Sequence, residues 1–138
     1  MNPFHLKTAH IVSSREELDA LPDGKLLINT LNAHSYNVAQ KDERFRVALQ
    51  SHILVPDGMS IVKACRWLRA ASRPQERISG WDLFSYEMKR LEEEMLKGGA
   101  ECGLPHYSVM FLGSSEEVLE RIRQRMRQDY PAFEIVTY

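Results

Sequence analysis

What the chain lacks narrows its chemistry first. It has only two cysteines in 138 residues, Cys65 and Cys102, with neither a CxxC pair nor a Cys/His cluster. That argues against a disulfide scaffold and a structural zinc site, and fits two reduced thiols in a cytoplasmic protein. The five histidines, His5, His10, His34, His52 and His106, are scattered without metal-ligand spacing. No long apolar run exists: "VMFL" and "HILV" are far too short to span a bilayer. The start lacks the basic-then-apolar order of a secretory signal. A net charge of −1 gives no electrostatic reason to expect nucleic acid as a partner. No GxGxxG, P-loop, GxSxG or Asp-x-Asp occurs, so a dinucleotide fingerprint, serine hydrolysis and a metal-bound nucleotide-diphosphate cradle all lack support. The expectation is no cofactor and no metal.

What remains is a soluble, globular composition, 43% hydrophobic and 27% charged, in a length suited to one domain. "SREE" at 14–17 has the Ser-x-x-Glu form of a capping box and predicts a brief helix. "PDG" at 22–24 turns the chain into "KLLINT", a strand ending near Thr30. Val38, Phe45, Ala48 and Leu49 predict one amphipathic helix from Ser35 to about Gln50. "HILV" at 52–55 reads as a buried strand, followed by a helix from about Ser60 to Ala71, a polar loop at 72–80, and a helix from Trp81 to Lys97 stopped by Gly98-Gly99. A loop through Gly103-Leu104-Pro105 leads to the strand "YSVMFLG". Ser114 or Ser115 can cap the next helix, Pro131 ends it, and "FEIVTY" is a last strand.

Alternating strands and helices predict an α/β, Rossmann-like fold with a mostly parallel sheet. Loops after parallel strands emerge on one rim, where ligands of such sheets bind. The rim would gather Thr30-Leu31-Asn32, Pro56-Asp57-Gly58 and Gly113-Ser114-Ser115. Asp57 is the candidate general base, with turn former or helix cap as the alternative. Thr30 and Asn32 suit hydrogen bonds to a sugar or nucleotide, or helix capping. Gly113 could let a phosphate approach the following helix, or simply make a tight turn. Arg77 offers a phosphate clamp. Lys63, Arg66, Arg69 and Arg73 form a basic stripe, read either as a solvated face or as an attraction to a phosphorylated lipid or anionic membrane. Glu117 and Arg121 are spaced for a helix ion pair.

Taken in order, "INTLNAHSYNVAQKDERF" at 28–45, "LVPDGMSIV" at 54–62, "ERISGWDLF" at 76–84, "MFLGSSEEV" at 110–118 and "YPAFEIV" at 130–136 resemble the WecG/TagA/CpsF family of bacterial glycosyltransferases. The resemblance implies inverting transfer of N-acetylmannosamine or a related sugar from a UDP-sugar donor. The acceptor would be an undecaprenyl-diphosphate-linked sugar, a polyprenyl-diphosphate-linked sugar feeding cell-surface polysaccharide such as teichoic acid. It implies Asp57 as general base, Thr30 and Asn32 as a pocket motif, and Arg77 and Gly80 as an Arg-x-x-Gly motif with Arg77 on the diphosphate. Gly58 and Gly113 at the strand ends are further candidate substrate-binding positions. It also implies a cytoplasmic location, peripheral at the inner face of the plasma membrane. His52 stands where the family commonly carries Asp. Family members continue beyond the point matching Tyr138, so this single α/β domain is expected to lack the C-terminal portion and to transfer little sugar alone. A catalytically incomplete binding or interaction module is the alternative. Self-association over the last strand, giving a homo-oligomer, stays open.

Overall fold

The computed structural model describes residues 3–22, 24–97 and 106–136. Two compact units divide the chain, residues 1–84 and 85–138. In the first, β1 (Ile28–Leu31) and β2 (Ile53–Pro56) pair in parallel, with Thr30 opposite Val55 and Leu31 opposite Pro56. Helices α1 (Arg15–Asp19), α2 (Ala33–Lys41), α3 (Glu43–Gln50) and α4 (Met59–Trp67) accompany them. Residue 11 adds a single parallel bridge to Leu54, and Val12 N–H donates to the Leu54 carbonyl at 2.8 Å. β2 is therefore flanked on both sides, which is why Leu54, Val55 and Pro56 are all buried. Ile11, Leu31, Leu49, Leu54, Ile61 and Cys65 belong to one core cluster.

The second unit repeats the motif on a smaller scale. β3 (Ser108–Met110) and β4 (Glu134–Val136) are parallel, with Val109 opposite Ile135. Between them runs α6 (Glu116–Asp129). Helix α5 (Gly80–Lys97) begins in the first unit and continues in the second. One stripe of it is turned inward: Met88 is buried, and Phe84, Leu91 and Met95 are half-buried. Two parallel pairs with helical crossovers make the α/β, Rossmann-like arrangement that the alternation predicts.

Several local expectations are corrected. The helix expected over 35–50 is two helices. Asp42 is extended (φ −109°, ψ 114°), and its carboxylate accepts from Phe45 N–H at 3.0 Å, so a new helix starts there. Phe45 is exposed while Arg46 is buried, donating to the Ala39 carbonyl at 3.2 Å in the last turn of α2. A guanidinium satisfies that otherwise unpaired helix-end carbonyl, as an apolar side chain cannot. At 14–17 the helix forms, but Ser14 makes no side-chain cap bond to it; Glu17 instead accepts from Ser13 N–H at 2.6 Å.

α4 stops at Trp67, short of Ala71. Arg69 N–H donates to Arg66 O at 3.2 Å and Ala70 N–H to Cys65 O at 2.9 Å, with Arg69 left-handed at φ 49°. That is a Schellman ending with arginine where glycine is usual. The loop at 72–80 is less polar in effect than in composition: Ser72, Pro74 and Ile78 are buried. The strand expected over 107–113 covers only Ser108–Met110. Asp23 of the first turn, Cys102, Gly98-Gly99 and Gly103-Leu104-Pro105 lie outside the described residues.

Candidate functional site

The carboxyl ends of β1 and β2 define the rim. Asp57 follows β2 directly, and its N–H donates to the Leu31 carbonyl at 2.9 Å, which places it across from the Leu31-Asn32 junction. Thr30, Asn32 and Asp57 thus lie at one end of one parallel pair, the placement the sequence predicts. Asp57 is half-buried. It is not the cap of α4: Gly58 holds that position, without any side-chain hydrogen bond to the helix start. Gly58 has φ 134° and ψ 137°, backbone open to glycine and strained for any L side chain. Among the described residues nothing hydrogen-bonds or pairs with the Asp57 carboxylate. Asp57 does not cap α4, and it stands at the strand end uncommitted.

Asn32, by contrast, does cap. Its Oδ1 accepts from Ser35 N–H at 2.9 Å, and Ser35 Oγ accepts from Asn32 N–H at 2.9 Å. This reciprocal box fixes the start of α2 and leaves the amide nitrogen of Asn32 as the side chain's free donor.

The Arg-x-x-Gly segment is strapped to the same rim. Ile78 is fully buried, and its N–H donates to the Pro56 carbonyl at 2.8 Å. Gly80 lies beside Thr30: a Cβ built on it would stand 3.7 Å from Thr30 Cγ2, ordinary contact. Proximity, not lack of room, is what this glycine reports. Ser79 and Asp82 cap α5 reciprocally, with Asp82 Oδ2 accepting from Ser79 N–H at 2.9 Å and from its hydroxyl at 2.5 Å. Those two hydrogen bonds, then Arg77 and Arg15, hold the Asp82 carboxyl below its usual value. Arg77 sits 3.6 Å from Asp82 with its side chain 53% exposed. The pair is loose and wet, so the guanidinium can turn to another anion.

Gly113 stands at the carboxyl end of the other pair, with φ 93°. Ser115 caps α6 there, accepting from Val118 N–H at 3.4 Å. The adjoining cleft is lined by Gly113, Glu116, Glu120 and Arg123, among others, and Arg123 already pairs with Glu120 at 3.3 Å. Two carboxylates at that mouth work against a bound phosphate. The expected Glu117–Arg121 pair forms at 2.6 Å.

His52, the position where the resemblance expected Asp, contacts Asn29 Nδ2 through its Nδ1. That contact is at the amino-terminal end of the strands, away from the Asp57 rim.

The family's sequence model, "Glycosyl transferase WecG/TagA/CpsF family", matches residues 5–138. The chain belongs to this family. It is 26% identical over 102 residues to an N-acetylglucosaminyldiphosphoundecaprenol N-acetyl-beta-D-mannosaminyltransferase of Bacillus spizizenii. The match covers 72% of this chain and 34% of that relative, so the chain spans about a third of the relative's length. No solved structure matches the chain.

Proposed function

We propose that this chain carries the acid–base part of an inverting glycosyltransferase acting on a UDP-sugar, N-acetylmannosamine or a close relative. The acceptor in this reading is a polyprenyl-diphosphate-linked sugar at the inner face of the plasma membrane, and the product feeds a cell-surface polysaccharide. The observation that carries it is the uncommitted Asp57 carboxylate, its backbone locked beside Asn32, with the Arg77–Gly80 segment strapped to the same strand end. Family membership and the substrate named for the Bacillus relative support the substrate classes.

In this mechanism Asp57 takes the proton of the acceptor hydroxyl as its oxygen bonds to the anomeric carbon. The bond from that carbon to UDP breaks on the opposite side, and UDP leaves with the electron pair. Arg77 offsets the charge gathering on the departing diphosphate. Thr30 and the Asn32 amide hydrogen-bond the sugar, while Gly58 and Gly80 keep the rim free of side chains.

The test is an assay with UDP-N-acetylmannosamine and a soluble lipid-diphosphate N-acetylglucosamine acceptor, following the disaccharide product and its anomeric configuration. A product with inverted configuration is expected from an active full-length form; a retained configuration overturns the mechanism. A second reading is a binding module that uses the same rim without turnover. Residues 1–138 that bind UDP through the same rim but make no product select it.

A further inference from the structure

At the far end of α4 from Asp57, Arg66, Arg69 and Arg73 line a cleft of about 610 Å³ with Pro74 and Gln75 and no acidic residue. All three arginines are exposed, and among the described residues none has an ion-pair partner within 4.0 Å. The helix end does not account for them. Its carbonyls at Ala64, Cys65 and Arg66 already accept from Leu68, Ala70 and Arg69 N–H groups, and a helix C-terminus carries only about half a unit of negative charge. Arg69 also occupies a left-handed site, φ 49°, where glycine would relieve strain. The wall behind it is fixed: Ser72 Oγ bridges Ile11 N–H and the Ala9 carbonyl, each at 2.9 Å, and Ala71 and Gln75 N–H groups donate to Lys7 and Ser13. Two large apolar side chains stand out beside this charge. Trp67 is 81% exposed and Leu68 48%, between Arg66 and Arg69 in the chain.

Unpaired arginines for phosphate oxygens and a solvent-facing indole and leucine for the acyl boundary form the chemistry of a bilayer interface. We propose that the C-terminal end of α4 is a docking patch for an anionic phospholipid surface. In it Arg66, Arg69 and Arg73 hold headgroup phosphates, and Trp67 and Leu68 enter the interface. This goes beyond the glycosyltransferase reading, and its test needs no turnover.

The test is co-sedimentation of the 138-residue chain with vesicles of phosphatidylcholine, alone or mixed with phosphatidylglycerol. Binding is expected to the mixed vesicles, to fall with added salt, and to weaken roughly fivefold for each arginine changed to glutamine. In Trp81→Phe protein, where Trp67 is the remaining indole, emission should shift to the blue on adding mixed vesicles. Arg69→Gly separates strain from function: it should raise Tm by roughly 2–5 °C yet weaken vesicle binding about fivefold. Failure of the wild-type chain to sediment overturns the proposal, as does an unshifted Trp67 or an Arg69→Gly protein that is more stable but binds equally well. Saturable binding of inorganic pyrophosphate without vesicle binding would assign the cleft to a free anion instead.

Discussion

The two strand pairs are built alike and equipped differently. Each is parallel, each passes through a positive-φ glycine, Gly58 or Gly113, and each then enters a helix. After β2 the acid sits before the helix, unpaired, and the helix start has no side-chain cap. After β3 the acids sit inside the helix, Ser115 caps it, and the basic residue in the cleft is already paired. Burial differs as well: β2 is buried over three of its four residues, whereas β3 and β4 alternate exposed and half-buried. The lesson is that a strand–glycine–helix turn supplies only a place. What the place can do depends on which polar groups remain unspent there.

That comparison breaks most visibly at the acids. Asp57→Asn keeps shape and removes the base, and is expected to lower turnover of an active form by roughly 10²–10⁴-fold with folding intact. Glu116→Gln at the other rim should change it by less than about threefold, within the small effect of an exposed charge. Equal losses would mean the two rims are not distinct in function.

Core substitutions sharpen the difference in burial. Leu31→Ala, at a fully buried site, should destabilise the protein by roughly 2–5 kcal/mol in urea unfolding, and Ile135→Ala, half-buried, by about half as much. Comparable midpoints would show that the second unit carries as much of the stability as the first.

Smaller effects are expected at the glycines. Gly58→Ala meets Ser60 Oγ at an ordinary 3.5 Å, so its cost is backbone strain, about 1–2 kcal/mol. Gly113→Ala opens onto empty space at φ 93° and should cost about 1 kcal/mol. Differential scanning calorimetry of both variants gives the order.

The smallest effect is an alkaline one. Burial pushes the Cys65 thiol above its ordinary value of 9.0. The folded chain therefore keeps a proton that the unfolded chain loses. Stability from this group is intact below that ordinary value and falls as pH rises beyond it toward the higher folded value. Cys65→Ala should flatten that limb of a stability–pH curve, at some cost in packing at every pH.

Period and punctuation made much of this legible. The helix after Gly80 follows from spacing, and the Asp57 rim follows from two short strands joined by helices. Other features depended on partners distant in sequence. Residue 11 pairs with Leu54, which nothing in "AHIVSS" announces. Arg46 is buried because a carbonyl of the preceding helix needs a donor, a cause that apolar periodicity, which points to Phe45, does not register. The break at Asp42 was written locally, as an acid three residues before the N–H it caps, but a good helical period on either side hides it. At the rim, position was readable, whereas the freedom of Asp57 was not. It depends on Gly58 taking the cap.

The strap from Ile78 to Pro56 has a kinetic consequence. Behind it, Ser72 binds Ala9 and Ile11 across 63 and 61 residues of chain, so the rim closes only after distant segments have met. Contacts of that range form late and open together. The Ile78 amide should therefore exchange with deuterium only through cooperative opening of the whole first unit. A rim assembled this way is unlike a loop that comes and goes: it is present whenever that unit is folded and vanishes in the same step.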